Sequence, residues 1–232
     1  MRIIPLDDRC LLFFVRNPQK GPVKSRLAKA VGADVARELY RNFLLDMLSM
    51  LESSNFPLII CFYPEDALSD LKNFLGRDYR YQPQRGADLG ERMKEAFTDA
   101  FVMRFRRVVL IGSDIPDLPA DIITEAFTHL ETVDTILGPS SDGGYYLIGF
   151  NREGFLPEAF RGLLWGTRGV SEKTLSILRH HKRTAHLLPS WSDIDSVDDL
   201  KTFLGRNRHP SAAPRTLAYL HQMKLLVADD QQ

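Results

Sequence analysis

The chain has 232 residues, of which 44% are hydrophobic and 26% charged, and its 30 basic and 30 acidic residues cancel to a formal net charge of zero. This composition is typical of a globular protein, and the balanced charge offers no overall field to collect nucleic acid or an anionic membrane surface. No apolar run reaches the roughly 20 residues of a membrane span, so we expect a cytoplasmic protein whose core lies in one α/β domain.

Apolar runs of strand length alternate with helical repeats along the chain. The runs cover residues 11–15, 58–63, 108–112, 135–138, 145–150 and 185–189. Helical periodicity covers residues 33–53, 89–103 and about 119–130, and begins again after residue 170. Continuous apolar strands separated by helices predict a three-layer α/β/α fold with a mainly parallel sheet, in which ligands bind beyond the carboxyl ends of the strands.

The last part of the chain differs from the rest in composition. Residues 206–215 are rich in proline, alanine and arginine, which is typical of a linker, and a final helix is expected over residues 216–227. We therefore predict one domain over residues 1–205, followed by a linker, helix and tail over residues 206–232.

A cation-rich loop follows the first apolar run. Four cations lie within eleven residues, namely Arg16, Lys20, Lys24 and Arg26. A loop of this kind, which leads from the first strand into a helix, suits a phosphate group, although it carries neither GxxxxGK[ST] nor GxGxxG. We expect Lys24 and Arg26 to bind phosphate, whereas Lys20 is better explained as a solvated surface charge.

A carboxylate follows the apolar run at residues 108–112. Asp114 follows this run after Ser113 and precedes Pro116. A carboxylate at the end of a buried strand needs a positive partner, and Mg²⁺ usually takes one or two protein carboxylates together with substrate phosphates. Asp114 is therefore a predicted metal ligand, while Asp117 is the better candidate for capping the next helix.

A third charged segment covers residues 190–200. Asp193 and Asp195 alternate around one residue, so in an extended chain both carboxylates point to one face. Asp195 is a predicted second metal ligand. For Asp193, a role as metal ligand and a role without metal are equally compatible with the sequence. Ser196 and Asp199 match an N-cap box, which predicts that a helix begins there.

A looser glycine-bearing loop lies at residues 82–93. Gly86 gives it conformational freedom, Asp88 is placed to begin a helix, and Arg85 and Arg92 supply positive charge. A structural loop that leads into a capped helix and a ligand-binding loop explain these residues equally well. Gly86 and Asp88 are therefore candidates for nucleotide binding.

Other motifs that would carry chemistry are missing. There is no GxSxG nucleophile elbow, and the two cysteines form neither a disulfide framework nor zinc spacing. The six histidines also lack metal-ligand spacing, and surface roles are expected for most of them: His129, His180, His181, His186, His209 and His221.

The segment 138–150 carries an Asp-Gly-Gly sequence between two apolar runs. Glycine at Gly143 and Gly144 allows positive φ and a close approach by a ligand, but a pair of glycines between strands is also typical of a hairpin turn. Asp142 has the same two interpretations, a catalytic carboxylate or a turn residue that accepts a bond from its own backbone.

The order of these motifs is specific. It resembles the bacterial DUF2064 family, also called radical-SAM/selenodomain-associated transferases, which has the nucleotide-diphospho-sugar transferase or GT-A fold. The resemblance covers roughly residues 11–205, with Ser25 where the family usually has threonine, and rests on the motifs VKSRL, DLGERM, GSDIPDLP, GPSSDGGYYLIG, WGTRGV and DIDSVDDL.

The resemblance implies roles for particular residues. A nucleotide would lie at the front of the sheet, with Lys24 and Arg26 toward its phosphates. Arg16, in the same cation-rich loop, is a further candidate for phosphate binding. A divalent cation, Mg²⁺ or Mn²⁺, would be held by Asp114 and Asp195. The acceptor would face the loop of Gly143, Gly144, Tyr145 and Trp165.

Three functions remain open from the sequence. The first is metal-dependent transfer from a nucleotide-activated donor, such as a nucleotide sugar, to a small acceptor, with Asp142 as the base if the transfer inverts the sugar. The second is nucleotidyl transfer from an NTP to a phosphorylated or carboxylated small molecule. The third is non-catalytic nucleotide binding, and a monomer or homodimer is expected in each case.

Overall fold

The computed structural model describes residues 8–207 and 212–223, which form one α/β structure with seven strands and eight α-helices. The strands are β1 (Arg9–Arg16), β2 (Leu58–Tyr63), β3 (Arg80–Pro83), β4 (Arg107–Ile111), β5 (Thr135–Pro139), β6 (Tyr145–Asn151) and β7 (Ala185–Leu187). The helices are α1 (Ser25–Val31), α2 (Ala33–Ser53), α3 (Leu68–Leu75), α4 (Leu89–Val102), α5 (Ala120–His129), α6 (Val170–His180), α7 (Val197–Arg206) and α8 (Pro214–Gln222).

The strands form one sheet in the order β3-β2-β1-β4-β6-β5-β7. All neighbouring pairs are parallel except those of β6, which is antiparallel to both β4 and β5. Because β6 alone reverses direction, the carboxyl ends of β1, β4, β5 and β7 and the start of β6 lie at one edge. The predicted charged segments follow or precede these ends.

Helices cover both faces of the sheet, which confirms the three-layer prediction. Leu11, Phe13 and Val15 of β1 pack with α2, α3, α5, α7 and α8 on one face. Leu12 and Phe14 pack with α4 and α6 on the other. Side chains of one strand are therefore buried on both sides, which explains why the central runs are apolar without alternation.

Two elements are absent from the sequence prediction, namely α3 and the edge strand β3, and α1 is expected only as the helix that the cation-rich loop enters. The sequence of β3 is RYQP, and it is only partly buried. An edge strand pairs on one side, so it does not need the apolar run by which the central strands are recognised.

The predicted linker at residues 206–215 is wrong at both of its ends. α7 includes Arg206, and α8 begins at Pro214, a residue favoured in the first turn of a helix. The predicted last helix starts two residues earlier than expected, and residues 224–227 of that prediction lie outside the described part of the chain.

A buried carboxylate of α2 holds the start of α8. Asp46 accepts hydrogen bonds from the backbone N–H of Arg215 at 3.1 Å, from the N–H of Thr216 at 2.8 Å and from the Thr216 hydroxyl at 2.8 Å. Leu217 and Leu220 belong to the same core cluster as α2. The domain boundary at residue 205 stays a prediction.

Asp117 does not cap α5, so that prediction is wrong. Its buried carboxylate receives bonds from Arg206 at 2.5 and 2.8 Å, from Asn207 at 2.6 Å and from the Trp191 indole at 3.2 Å. α5 begins after Pro119 without a side-chain cap. The carboxylate instead fixes the end of α7 to the loop after β4.

The two cysteines, Cys10 and Cys61, are both buried in the core. Across residues 8–207 and 212–223, none of the helices combines the length and the apolar character needed to cross a membrane.

Candidate functional site

Three charged side chains form a compact cluster beyond the carboxyl ends of β1 and β4. The Nζ atom of Lys24 is 2.8 Å from Oδ1 of Asp114 and 2.7 Å from Oδ1 of Asp195. The Lys24 side chain is only 3% exposed, whereas each aspartate side chain keeps 41% of its surface. We call these three residues the Lys24 cluster. It joins a predicted phosphate ligand to both predicted principal metal ligands.

Local backbone structure brings the three residues together. Lys24 is the N-cap of α1 and has φ 50° and ψ 49°, a left-handed conformation that is uncommon for a residue with a side chain. Asp114 follows β4 after two residues. The N–H of Ile194 donates to the Asp114 carbonyl at 2.9 Å, which places the segment of Asp195 beside the end of β4.

Electrostatics keep Lys24 charged in this position. Burial alone would lower the pKa of Lys24, but the Coulombic attraction and hydrogen bonds of Asp114 and Asp195 outweigh it, and the pKa is raised above its usual range. One buried positive charge therefore lies between two partly exposed negative charges and offsets one of them, which leaves the cluster with a net charge of −1.

Tyr40 of α2 forms hydrogen bonds with two residues beside the Lys24 cluster. Its Oη accepts the backbone N–H of Arg16 at 3.0 Å and shares a 2.8 Å hydrogen bond with Oγ of Ser113. Burial, together with the nearby charge of Asp114, raises the pKa of Tyr40 to about 12. Tyr40 thus links the ends of β1 and β4. It lies in the helical repeat that marks α2, and nothing else in the sequence distinguishes it from a core residue.

Two adjoining cavities meet at Asp114. The first has a volume of about 570 Å³ and is lined by the cations Arg16, Lys24 and Arg92. The guanidinium groups of Arg16 and Arg92 lie 5.4 Å and 3.9 Å from the centre of the Tyr63 ring. Arg92 belongs to the DLGERM motif, and that motif is the signal by which it could have been selected as a site residue.

The second cavity has the opposite charge. It has a volume of about 300 Å³, and the carboxylates that line it are Asp114, Asp142 and Asp193. Its remaining wall is largely apolar and aromatic and includes Tyr145 and Trp165, and no lysine or arginine of the described residues is among its lining. The two cavities share five residues: Phe14, Leu89, Gly112, Asp114 and Tyr145.

Asp193 and Asp195 line different cavities, Asp193 the second and Asp195 the first. The Ser140 hydroxyl donates to Oδ1 of Asp193 at 3.0 Å. Burial, followed by the charges of Asp142 and Asp195, raises the pKa of Asp193. Asp193 is therefore easier to protonate, or to neutralise with a cation, than an ordinary exposed aspartate.

The Asp-Gly-Gly segment forms a hairpin turn that docks on the start of α6. The N–H of Gly144 donates to Oδ1 of Asp142 at 2.8 Å, and the N–H of Ser171 donates to the Gly143 carbonyl at 3.1 Å. Gly143 has φ 92°, and a Cβ atom there would lie 2.8 Å from the backbone nitrogen of Gly169. The turn interpretation of Asp142 is thus confirmed, and the same residue also lines the second cavity.

Tyr145 and Trp165, which are predicted to face an acceptor, pack against each other. The rings of Tyr145 and Trp165 are perpendicular, with centroids 6.2 Å apart. Burial raises the pKa of Tyr145, whose hydroxyl has no hydrogen-bond partner within the described residues. The indole nitrogen of Trp165 is buried and has no hydrogen-bond partner within the described residues. A ligand oxygen would satisfy this donor if it reached it.

Three predicted nucleotide ligands lie outside the two cavities. Arg26 is exposed on α1. Gly86 has φ 138°, and its carbonyl accepts the Nε–H of Arg92 at 3.2 Å, so it positions a residue that does line the first cavity. Asp88 is the N-cap of α4 and accepts the N–H of Glu91 at 2.8 Å. Direct contact of the three with a nucleotide stays a prediction.

Lys20 has the surface role that was expected. It forms a salt bridge of 2.8 Å with Asp66, and the hydrogen bond between them raises the pKa of the lysine. Neither cavity includes it in its lining.

The donor atoms fit a hard divalent cation. Lys24 bonds to one oxygen of Asp114 and one of Asp195, which leaves the second oxygen of each partly exposed carboxylate for a metal. Carboxylate oxygens are the ligands preferred by Mg²⁺ and Mn²⁺. When bound, such an ion would supply positive charge to the oxygens of a departing diphosphate.

Comparison with known proteins identifies the family of this chain. The model of the DUF2064 family, described as uncharacterized protein conserved in bacteria, matches residues 46–167. A crystal structure from Desulfovibrio desulfuricans G20, described as a "putative nucleotide-diphospho-sugar transferase", is 40% identical, covers 95% of this chain and 96% of its own, and superposes with a TM-score of 0.90.

More distant structures share the fold. A cytidylyltransferase from Leptospira borgpetersenii is 14% identical, with 97% of this chain and 99% of that chain covered and a TM-score of 0.55. The Rv0371c protein of Mycobacterium tuberculosis in complex with manganese is 14% identical, with 85% and 97% covered and a TM-score of 0.51. Among curated proteins, no sequence match was found.

Proposed function

Since the chain belongs to the DUF2064 family and has the nucleotide-diphospho-sugar transferase fold, we propose that it is a metal-dependent transferase that uses a nucleotide-activated donor, most simply a nucleotide sugar. The observation that carries this proposal is the Lys24 cluster at the junction of two cavities of opposite charge. A diphosphate at this junction would have cations on one side and its metal ligands beside it.

The first cavity accommodates the nucleotide. Arg16, Lys24 and Arg92 give it the positive charge that phosphates require, and the Tyr63 ring against the two guanidinium groups restricts their positions. A manganese complex of a protein with the same fold is consistent with a divalent cation in such a cleft. Metal and cations together would stabilise the negative charge that develops on the leaving diphosphate.

The second cavity favours glycosyl transfer over the nucleotidyl alternative. An acceptor that carries phosphate or carboxylate would have to approach three carboxylates, and like charges this close disfavour binding. A neutral sugar, by contrast, offers hydroxyls to the carboxylates and an apolar face to Tyr145 and Trp165. The distant cytidylyltransferase keeps nucleotidyl transfer as the second candidate.

Asp142 is the proposed base. One of its oxygens holds the Gly144 N–H, which fixes the carboxylate, while the residue remains exposed to the cavity. A carboxylate held in this way would accept the proton of an acceptor hydroxyl if the transfer inverts the sugar.

A ligand screen and a product assay test the proposal together. We expect a nucleotide sugar with Mn²⁺ to raise the melting temperature, since a ligand at 100 times its Kd stabilises a protein by about 2.7 kcal/mol. Release of a nucleoside diphosphate supports glycosyl transfer, whereas release of pyrophosphate from an NTP supports the second candidate. If neither nucleotides nor metal shift the melting temperature, the enzyme proposal is wrong.

Matched aspartate variants test the site. Asp114→Asn should abolish metal-dependent nucleotide binding because it removes a ligand oxygen from the Lys24 cluster. Asp121→Asn makes the same chemical change at an exposed position in the first turn of α5 and should bind like the unmodified chain. Equal binding by both variants would remove Asp114 from the metal site.

A further inference from the structure

A second group of metal-ligand side chains lies outside the cleft, between α5 and the edge strand β7. Glu125 and His129 are one turn apart on α5, and His186 lies on β7. Nε2 of His186 is 3.8 Å from Oε1 of Glu125, and the two imidazole rings stack with centroids 3.6 Å apart and planes at 15°. One ligand atom from each of the three residues lies within 4.8 Å of those of the other two.

We propose that Glu125, His129 and His186 form a binding site for a transition metal ion, with Zn²⁺ as the expected occupant. Two imidazole nitrogens and one carboxylate are a common ligand set for zinc, with a water as fourth ligand. This donor set differs from the all-carboxylate set of the cleft, which suits Mg²⁺ or Mn²⁺. The chain would therefore distinguish two metals by ligand type.

The backbone positions suit the site, and the rings need a small adjustment. A spacing of four residues puts Glu125 and His129 on the same face of α5, facing β7. His186 is held opposite by pairing of β7 with β5, in register with Ile136. Ligand nitrogens must point at the metal in the plane of each ring, so the stacked rings would turn about χ2. That torsion is broad, and His186 is 35% exposed, so rotation meets little obstruction.

The position gives such a metal a structural consequence. β7 has only three residues and pairs with one strand, so few hydrogen bonds hold it. The chain continues from β7 to Asp193 and Asp195 of the cleft. A metal that joins His186 to α5 would fix β7 to the body of the fold and thereby steady the acidic segment that follows it. None of the three ligands lines either cavity, so the site is separate from the cleft.

Zinc titration of the metal-free full-length chain tests the proposal. We expect one Zn²⁺ to bind in the presence of excess Mg²⁺ and to raise the melting temperature. His186→Gln and His129→Gln should each weaken Zn²⁺ affinity at least tenfold and remove the thermal shift. His180→Gln, a matched change at an exposed histidine of α6, should leave both unchanged. Two independent histidine variants guard against one of them failing to fold, and circular dichroism of each metal-free variant checks its structure.

The outcomes separate this site from the cleft. Asp114→Asn should retain the zinc-dependent shift while it loses metal-dependent nucleotide binding, so either proposal can fail without the other. If the unmodified chain binds no Zn²⁺ under excess Mg²⁺, or if folded His186→Gln and His129→Gln bind it as tightly as the unmodified chain, the proposed site is refuted. Substitution by Co²⁺ adds a direct readout, because histidine-ligated Co²⁺ has visible absorption that the histidine variants should lose.

Discussion

Replacing Lys24 by methionine would remove the positive charge of the Lys24 cluster and keep most of the side-chain volume. Asp114 and Asp195 would then face each other without their shared cation. Two unit charges at about 4 Å interact by about 4 kcal/mol at an effective dielectric constant of 20. Both aspartates are 41% exposed, so solvent screening reduces this, and we expect a loss of about 3 kcal/mol in the free energy of unfolding, at the low end for a broken buried pair.

The measurement is denaturant unfolding of the metal-free protein, with thermal unfolding alongside it. For a chain of this size, a loss of about 3 kcal/mol lowers the melting temperature by roughly 6–12 °C. Because the two carboxylates would lack a counter-charge, Mn²⁺ should stabilise Lys24→Met more than it stabilises the unmodified chain. Adding Asp195→Asn to Lys24→Met should recover part of the lost stability, since it removes one unpaired carboxylate.

Lys20→Met is the matched control. Lys20 also pairs with an aspartate, but on the surface, where solvent screens the two charges and the pair contributes little to stability. A Lys24→Met protein that is as stable as Lys20→Met, and that responds to Mn²⁺ like the unmodified chain, would refute the view that Lys24 balances the charge of the metal ligands.

Three further predictions concern other parts of the fold. Asp193→Asn should stabilise the metal-free protein at neutral pH. Burial and neighbouring carboxylates raise the folded-state pKa of Asp193, so the contribution of this side chain to the free energy of unfolding is greatest below the unfolded pKa of 3.8 and is lost as the pH rises through the folded pKa. Stability curves of the two proteins that stay parallel from pH 3 to 8 would contradict this. Gly143→Ala should destabilise more than Gly162→Ala in urea unfolding, because both positions have positive φ but only the first adds a backbone clash; equal losses would show that the turn can shift. Asp46→Ala should lower the free energy of unfolding by about 2–4 kcal/mol, because it removes the hydrogen bonds that hold the start of α8. The Asp34 side chain lies on the same helix and is 92% exposed, so Asp34→Ala should cost less than about 0.5 kcal/mol in the same urea unfolding assay. Similar losses in the two variants would contradict the role of Asp46.

Apolar runs in the sequence are sufficient to predict the central strands of the sheet. The strands β1, β2 and β4 are apolar on both faces, and their positions follow from the runs at residues 11–15, 58–63 and 108–112. The helix start at Ser196 was also predictable, since its capping box depends only on residues three apart. Patterns within a few residues therefore determined these parts of the prediction.

The charge pairing in the site could not be obtained in the same way. Lys24 and Asp195 are 171 residues apart in sequence, and the sequence predicts the lysine as a phosphate ligand and the aspartate as a metal ligand of one site, but not their ion pair. The position of Asp117 before α5 predicts a helix cap, but its partners Arg206 and Asn207 lie about 90 residues away in sequence. His129 and His186 likewise come together only through the packing of α5 on β7.

The reversed strand β6 explains why the two cavities have opposite charge and meet at Asp114. β4 has the parallel strand β1 on one side and the antiparallel strand β6 on the other. At the carboxyl end of β4, the neighbour on the first side is therefore the cation-rich loop that leaves β1, and the neighbour on the second side is the turn of Asp142 that enters β6. Asp114 lies on the boundary between them. Under the proposed function, a substrate that spans both cavities would place its anionic part toward β1 and its uncharged part toward β6, with the bond to be broken near Asp114.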